Sequence, residues 1–140
     1  MADVFTPEKR RSVMQSIGQK NTSPEMSVRI VAHALGLRFR LHRKDLPGTP
    51  DLVFPRYRIA ILVHGCFWHR HPGCGKAYMP KSRVEFWEAK FRKNVARDAR
   101  TLRELKESGW CPQVIWECET KDRQALERRI KAIFGIRARY

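Results

Sequence analysis

Apolar positions along the chain change rhythm several times, and each change predicts an element. Between Thr22 and Gly36, Met26, Ile30, Val31, Ala34 and Leu35 keep the spacing of a helix with one buried face. Two starts are open: a capping box from Thr22 to Glu25, or Ser23 as the cap with Pro24 in the first position. Gly36 is a natural stop. Phe39 and Leu41 then alternate with Arg40 and His42, predicting a short strand. Asp51 to Phe54 and Ile59 to His64 read as strands joined by a tight turn over Pro55-Arg56-Tyr57-Arg58. A symmetric turn puts Asp51 across from Leu62 or Val63, beside the strand end that carries His64.

Ser82-x-x-Glu85 has the form of a capping box, opening a long helix that runs to about Gly109. At 100° per residue, Trp87, Phe91, Val95, Leu102 and Leu105 share an arc of about 80°. Lys90, Lys93, Arg97 and Arg100 share a separate arc of about 80°, a basic stripe beside the apolar one. Asp98 falls inside the apolar arc, where a carboxylate needs a partner. Gln113 to Cys118 reads as a strand with Val114, Trp116 and Cys118 on one side. A last helix from about Asp122 turns Leu126, Ile130, Ile133 and Phe134 inward. The order α-β-β-β-α-β-α predicts a mixed α/β sandwich. Residues 1–21 read as a basic arm with few apolar side chains, and residues 22–140 as a single domain.

Composition narrows the function. The 140 residues carry 29 Lys and Arg against 14 Asp and Glu, a formal charge of +15, with pI ≈ 10.5. Such an excess predicts a polyanionic partner. Hydrophobic residues make up 42% of the chain, too many for a disordered basic tail. The longest aliphatic run, Ile59 to Val63, is far short of the roughly 20 residues that span a bilayer. Met1 to Arg11 lacks the apolar stretch of a signal peptide, so a cytoplasmic protein is expected. There the four cysteines point to metal rather than to disulfides.

Cys66, His71, Cys74 and Cys118 make a Cys₃His set suited to one tetrahedral zinc, which would brace an irregular loop. His69 is a competitor for the place of His71, and Cys111 is left over. Asp51, at the mouth of a strand after Pro50, is a carboxylate of the kind that holds Mg²⁺ against a phosphate. His64 and His69 titrate near neutral pH and suit proton transfer. Asp98 either orients such a histidine or pairs with a neighbouring arginine. Phe67 and Trp68 are consecutive aromatics in a polar loop; if neighbours point opposite ways they cannot both enter one core. In a nucleic-acid protein, such aromatics or Met14 act as wedges between bases.

Two runs, Leu46-Pro47-Gly48-Thr49-Pro50-Asp51 and Val63-His64-Gly65-Cys66-Phe67-Trp68-His69-x-His71, resemble the very-short-patch-repair (Vsr) mismatch endonucleases. Arg11-Ser12-x-Met14, Phe86-Trp87, Lys93-Asn94 with Arg97-Asp98, and Trp116-Glu117-Cys118 extend the resemblance over nearly the whole chain. It implies a restriction-endonuclease-like fold and Mg²⁺-dependent nicking 5′ of the thymine in a T·G mismatch left by 5-methylcytosine deamination. On this resemblance Asp51 and the Val63 main-chain carbonyl hold Mg²⁺, with two ions expected. His69 is the acid/base residue oriented by Asp98, while Glu25 and His64 hold metal-bound water or phosphate. Zinc takes Cys66, His71, Cys74 and Cys118. Phe67, Trp68 and Trp87 wedge the mismatch from one groove and Met14 from the other, and Lys90, Lys93, Arg97 and Arg100 contact the DNA backbone.

The resemblance also implies a monomer acting on double-stranded DNA beside other mismatch-repair proteins, in the cytoplasm at the nucleoid and away from membranes. The Glu-x-Lys that usually follows the aspartate in restriction-like folds is replaced by Leu62-Val63-His64, a replacement the family shares. The alternatives are a restriction-type enzyme cutting an intact sequence and a zinc-braced DNA-binding module without catalysis.

Overall fold

The structure, a computed structural model, describes residues 23–135; the arm over 1–21, with Met14, lies outside the described residues. The elements are α1 (Ser23–Ala34), β1 (Arg40–Leu41), β2 (Leu52–Phe54), β3 (Ile59–His64), α2 (Val84–Glu107), β4 (Cys111–Trp116), a 3₁₀ turn (Glu117–Thr120) and α3 (Arg123–Phe134). The order is the expected one. The sheet runs β1-β2-β3-β4, antiparallel except for the parallel pair β3–β4, which α2 connects. This mixed sheet flanked by helices is the restriction-like architecture expected. Among the described residues no helix is long and apolar enough to cross a membrane.

Strand alternation divides the core. Leu52, Phe54, Ile59 and Ile61 pack with Val28, Val31, Ala32, Leu126 and Ile130 of α1 and α3. Val53, Ala60 and Leu62 face the other way, onto Leu105 and Trp110. His64 shares the phase of Ala60 and Leu62, so it follows them toward α2, the helix that carries Asp98. The sheet thus delivers a histidine to a carboxylate across a layer boundary.

Several sequence expectations are corrected. On α1 the buried face is Glu25, Val28, Val31 and Ala32, while Met26 and Ile30 are exposed. The helix turns its small and β-branched side chains to the sheet, and the Glu25 carboxylate bonds His42; Thr22, its expected capping partner, lies outside the described residues. The Ser82–Glu85 capping box does not form. The helix begins one residue later, after Arg83 in a left-handed conformation (φ 55°) with no side-chain cap, which puts Glu85 out of register for the box. Val95 is 48% exposed, and α2 buries Asn94 and Thr101 beside Phe91 and Leu105 instead. The fourth strand begins at Cys111 and ends at Trp116, so Cys118 lies in the 3₁₀ turn. The last helix is as read: the Asp122 side chain accepts from the Gln124 and Ala125 N–H groups, and Gly135 closes it with φ 69°.

Candidate active site and metal centres

The β2–β3 hairpin pairs Leu52 with Ile61, so Asp51 falls across from Leu62, one of the two partners the symmetric turn allowed. The Val63 N–H donates to Asp51 Oδ2 at 2.7 Å, and the His42 N–H donates to the Asp51 carbonyl at 3.2 Å. His42 Nε2 in turn lies 3.1 and 2.9 Å from the two Glu25 oxygens. Glu25 is only 2% exposed. One donor atom from each of Glu25, His42 and Asp51 lies within 4.8 Å of the others. Burial pushes the Asp51 carboxyl up to about 6, and the Glu25 charge adds to this against the Val63 N–H. Two carboxylates so placed favour a divalent cation between them, and oxygen donors suit Mg²⁺. His42 was not singled out in the sequence. A lone histidine after a two-residue strand carries no spacing signal, and only the β1–β2 pairing brings it beside Asp51.

The second cluster is His64, His69 and Asp98. His69 Nδ1 lies 2.6 Å from Asp98 Oδ2; a carboxylate accepts, so Nδ1 carries the proton and Nε2 is the free nitrogen. Asp98 therefore pairs with His69, one of the two readings left open. Burial alone would raise the Asp98 carboxyl, but the His69 hydrogen bond and the charges of His69, His64 and Arg97 hold it below its ordinary range. The His64 and His69 rings stack at 3.9 Å and 5°. Burial, then the neighbouring His69 and Arg97 charges, push His64 down to about 4. Both clusters open on one cavity of about 880 Å³, also lined by Lys44, Thr49, Phe67, Trp68 and Arg97.

The loop after β3 folds as consecutive turns, with His69, His71, Cys74 and Ala77 N–H groups donating to Gly65, Cys66, His71 and Cys74 carbonyls. These turns, with the 3₁₀ turn that carries Cys118, bring donor atoms of Cys66, His71, Cys74 and Cys118 within 4.8 Å of one another. His71 Nδ1 is 3.6 Å from Cys66 Sγ and 3.4 Å from Cys118 Sγ. Ligands on a tetrahedral zinc are roughly 3.3–3.8 Å apart, so the set fits one zinc with Nδ1 as the nitrogen donor. His69 is bound to Asp98 and takes no part, and Cys111 is exposed outside the cluster. Burial pushes the Cys66 thiol up to about 11, whereas the Lys76 backbone N–H draws the Cys74 thiol down. A bound cation would reverse the first effect by favouring the thiolate.

Phe67 and Trp68 do not diverge as neighbours on a strand would, because the segment is a turn. Both join one aromatic cluster: the Phe67 ring lies 5.1 Å from those of Trp68 and Phe91 and 5.6 Å from Trp87. Trp68 is nonetheless 48% exposed, and the buried Asn94 side chain holds its carbonyl at 3.0 Å. Trp87 is half-buried between Trp68 and Phe91. Lys90, Lys93, Arg97 and Arg100 are exposed along the neighbouring face of α2.

A family model described as DNA mismatch endonuclease Vsr matches residues 2–76. The chain is 52% identical over 133 residues to the type II nicking enzyme V.XorIIP of Xanthomonas oryzae pv. oryzae, covering 95% of this chain and 97% of that one. It is 39% identical to the type II nicking enzyme V.NmeAIP of Neisseria meningitidis, over 95% of this chain and 94% of that one. It is 40% identical to the DNA mismatch endonuclease Vsr of Escherichia coli, over 90% of this chain and 80% of that one. The chain belongs to the Vsr endonuclease family.

As a Vsr-family protein it is a DNA-cleaving nuclease, which accounts for the charge of +15. The Vsr-family fold gathers Glu25, Asp51, His64, His69 and Asp98 at one cavity, with the aromatic cluster at its rim and the basic face of α2 alongside.

Proposed function

We propose that this endonuclease hydrolyses one DNA strand 5′ of the thymine in a T·G mismatch, the product of 5-methylcytosine deamination. The observation that carries the chemistry is the convergence of the carboxylate pair and the His69–Asp98 pair on one cavity. Asp98 fixes the His69 tautomer, leaving Nε2 to take a proton from water or give one to the leaving oxygen. The neutral His64 ring presents a hydrogen-bonding group to water or phosphate without adding charge. Asp51 and the Val63 main-chain carbonyl are the proposed oxygen donors for Mg²⁺, with Glu25 placed to hold metal-bound water beside them. When bound, Mg²⁺ supplies electrostatic stabilisation of the charge that builds on the phosphate. Arg97 and Lys44 add positive charge at the cavity wall, where no lysine follows Asp51 in the restriction-like pattern.

The exposed Trp68 and the partly open Trp87 support a wedge at the mismatch, with Phe67 beneath them. A T·G wobble stacks weakly and opens at lower cost than a matched pair. The name of the Escherichia coli relative supports this target. The names of the Xanthomonas and Neisseria relatives favour a second reading, a nick within an intact recognition sequence.

Strand-specific cleavage of labelled duplexes separates the two. T·G, T·A and C·G versions of common cytosine-methylation contexts are compared with and without Mg²⁺. A Mg²⁺-dependent nick in the T·G duplexes alone supports the mismatch reading. Equal nicking of the matched duplex establishes the second, and binding without cleavage overturns both.

A further inference from the structure

The zinc cluster and the histidine pair meet at one side chain. Trp116 ends β4 and is the parallel neighbour of His64 at the end of β3. The His71 ring, the nitrogen donor of the Cys₃His set, stacks on the Trp116 indole at 4.2 Å and 12°. The same indole meets the His64 ring edge to face, at 5.3 Å and 75°. His64 then stacks on His69, which is tied to Asp98. The four rings form a continuous row from the metal cluster to the cavity.

His64 differs from His69 in what holds it. His69 has a carboxylate on Nδ1, whereas among the described residues no hydrogen bond fixes the His64 ring. The torsion that turns an imidazole about its Cβ–Cγ bond has broad minima, so packing must define the ring plane. Two rings supply that packing, His69 against one face and Trp116 at an angle to it. His69 is held by Asp98 on the cavity side. Trp116 closes the opposite side, itself covered by the His71 ring.

We infer that Trp116 is a positioning residue that sets the tilt of His64 and makes that tilt depend on the integrity of the zinc cluster. This rests on the reading of His64 as part of the cleavage site. Removing the indole frees the His64 ring while duplex binding, carried by the basic face and the aromatic rim, persists. Small misplacements of reacting groups cost on the order of 10²-fold in rate.

The test uses the zinc-loaded full chain as wild type, Trp116→Leu and Trp116→Phe, each with and without His64→Ala. Zinc content, duplex affinity, single-turnover nicking and the imidazole NMR resonances of the five histidines are measured. Trp116→Leu should keep its zinc, hold duplex affinity within about twofold, move the His64 resonances, and lower the nicking rate about 10- to 100-fold. Trp116→Phe should restore most of that rate. In the His64→Ala background, Trp116→Leu should cost nothing further, because its effect passes through the missing ring.

An undiminished rate in Trp116→Leu overturns the inference, as does an equal loss in both backgrounds. Should Trp116→Leu fail to fold, Trp116→Phe with and without His64→Ala makes the same comparison. If wild type itself nicks no duplex, the proposed function falls and the resonances decide the positioning alone. A His64-to-His69 ring NOE lost in Trp116→Leu and kept in Trp116→Phe supports it, and one that survives both substitutions overturns it.

Discussion

The backbone N–H of Val63 donates to the Asp51 carboxylate at 2.7 Å, so the hairpin that makes β2 and β3 also aims the acid at its rim. A donor atom of Glu25 lies within 4.8 Å of one of Asp51. Asp51→Ala should therefore lower single-turnover nicking by roughly 10³-fold or more, while duplex affinity changes little. Titration of a fluorescent duplex beside a nicking assay checks both halves, and wild-type nicking would remove Asp51 from the site.

The same acid and His64 make opposing contributions to the pH dependence of stability without Mg²⁺. The Asp51 pKa is raised from 3.8 to about 6, so its stabilising contribution is complete below 3.8 and lost as pH rises through about 6. The His64 pKa is lowered from 6.5 to about 4, so its contribution is complete above 6.5 and lost as pH falls through about 4. Between these limits the two largely offset. Asp51→Asn should raise the Tm of the zinc-loaded, Mg²⁺-free protein at pH 7.5, by on the order of 2 kcal/mol in stability. It should also leave the acid-side loss due to His64 plainly visible. Thermal melts of the zinc-loaded protein from pH 4 to 8 without Mg²⁺ test this, and a lower Tm at pH 7.5 contradicts it.

Zinc should be present at one ion per chain by elemental analysis. Cys66→Ser, at a buried sulfur, and Cys118→Ser should each lose the ion and lower Tm, because the loop after β3 is built from turns with no strand or helix of its own. Cys111→Ser should change neither. A metal-free wild type with the same Tm as the native protein would remove the site.

Asp98→Asn keeps the shape of the pair but allows the wrong His69 tautomer. Nicking should fall by about 10²–10⁴-fold with duplex binding intact. Replacing His69 as well should then add little.

Gly48 adopts φ +72°, and a Cβ placed there would lie 2.2 Å from the Thr101 side chain on α2. Gly48→Ala should cost roughly 2 kcal/mol or more, from backbone strain and overpacking together. Thr101→Ala should recover the overpacking part only. Urea unfolding of the single and double variants measures both.

Much of the site was legible because its residues are close in sequence or related by simple geometry. Cys66, His71 and Cys74 lie within nine residues, and a symmetric hairpin turn suffices to bring Asp51 to Val63. Helical phase alone marked Asp98 as a carboxylate needing a partner. What escaped depends on the docking of distant elements. The buried face of α1 is chosen by contacts with the sheet and α3, which its own apolar pattern does not encode. His42 becomes a neighbour of Glu25 only when a two-residue strand joins the sheet. The Ser82–Glu85 pattern was a correct form in the wrong register, because a left-handed Arg83 starts α2 later.

Three of the zinc ligands leave the ribosome almost together, but Cys118 follows 44 residues after Cys74. The parallel partner of β3, and the indole against His64, arrive only with that same stretch. A nascent chain thus presents its basic helix and its aromatic loop well before the wall and brace of its histidine pair exist. A chain stopped before that stretch carries the basic helix without the completed histidine site. The capacity to break a strand is the last property the polypeptide acquires.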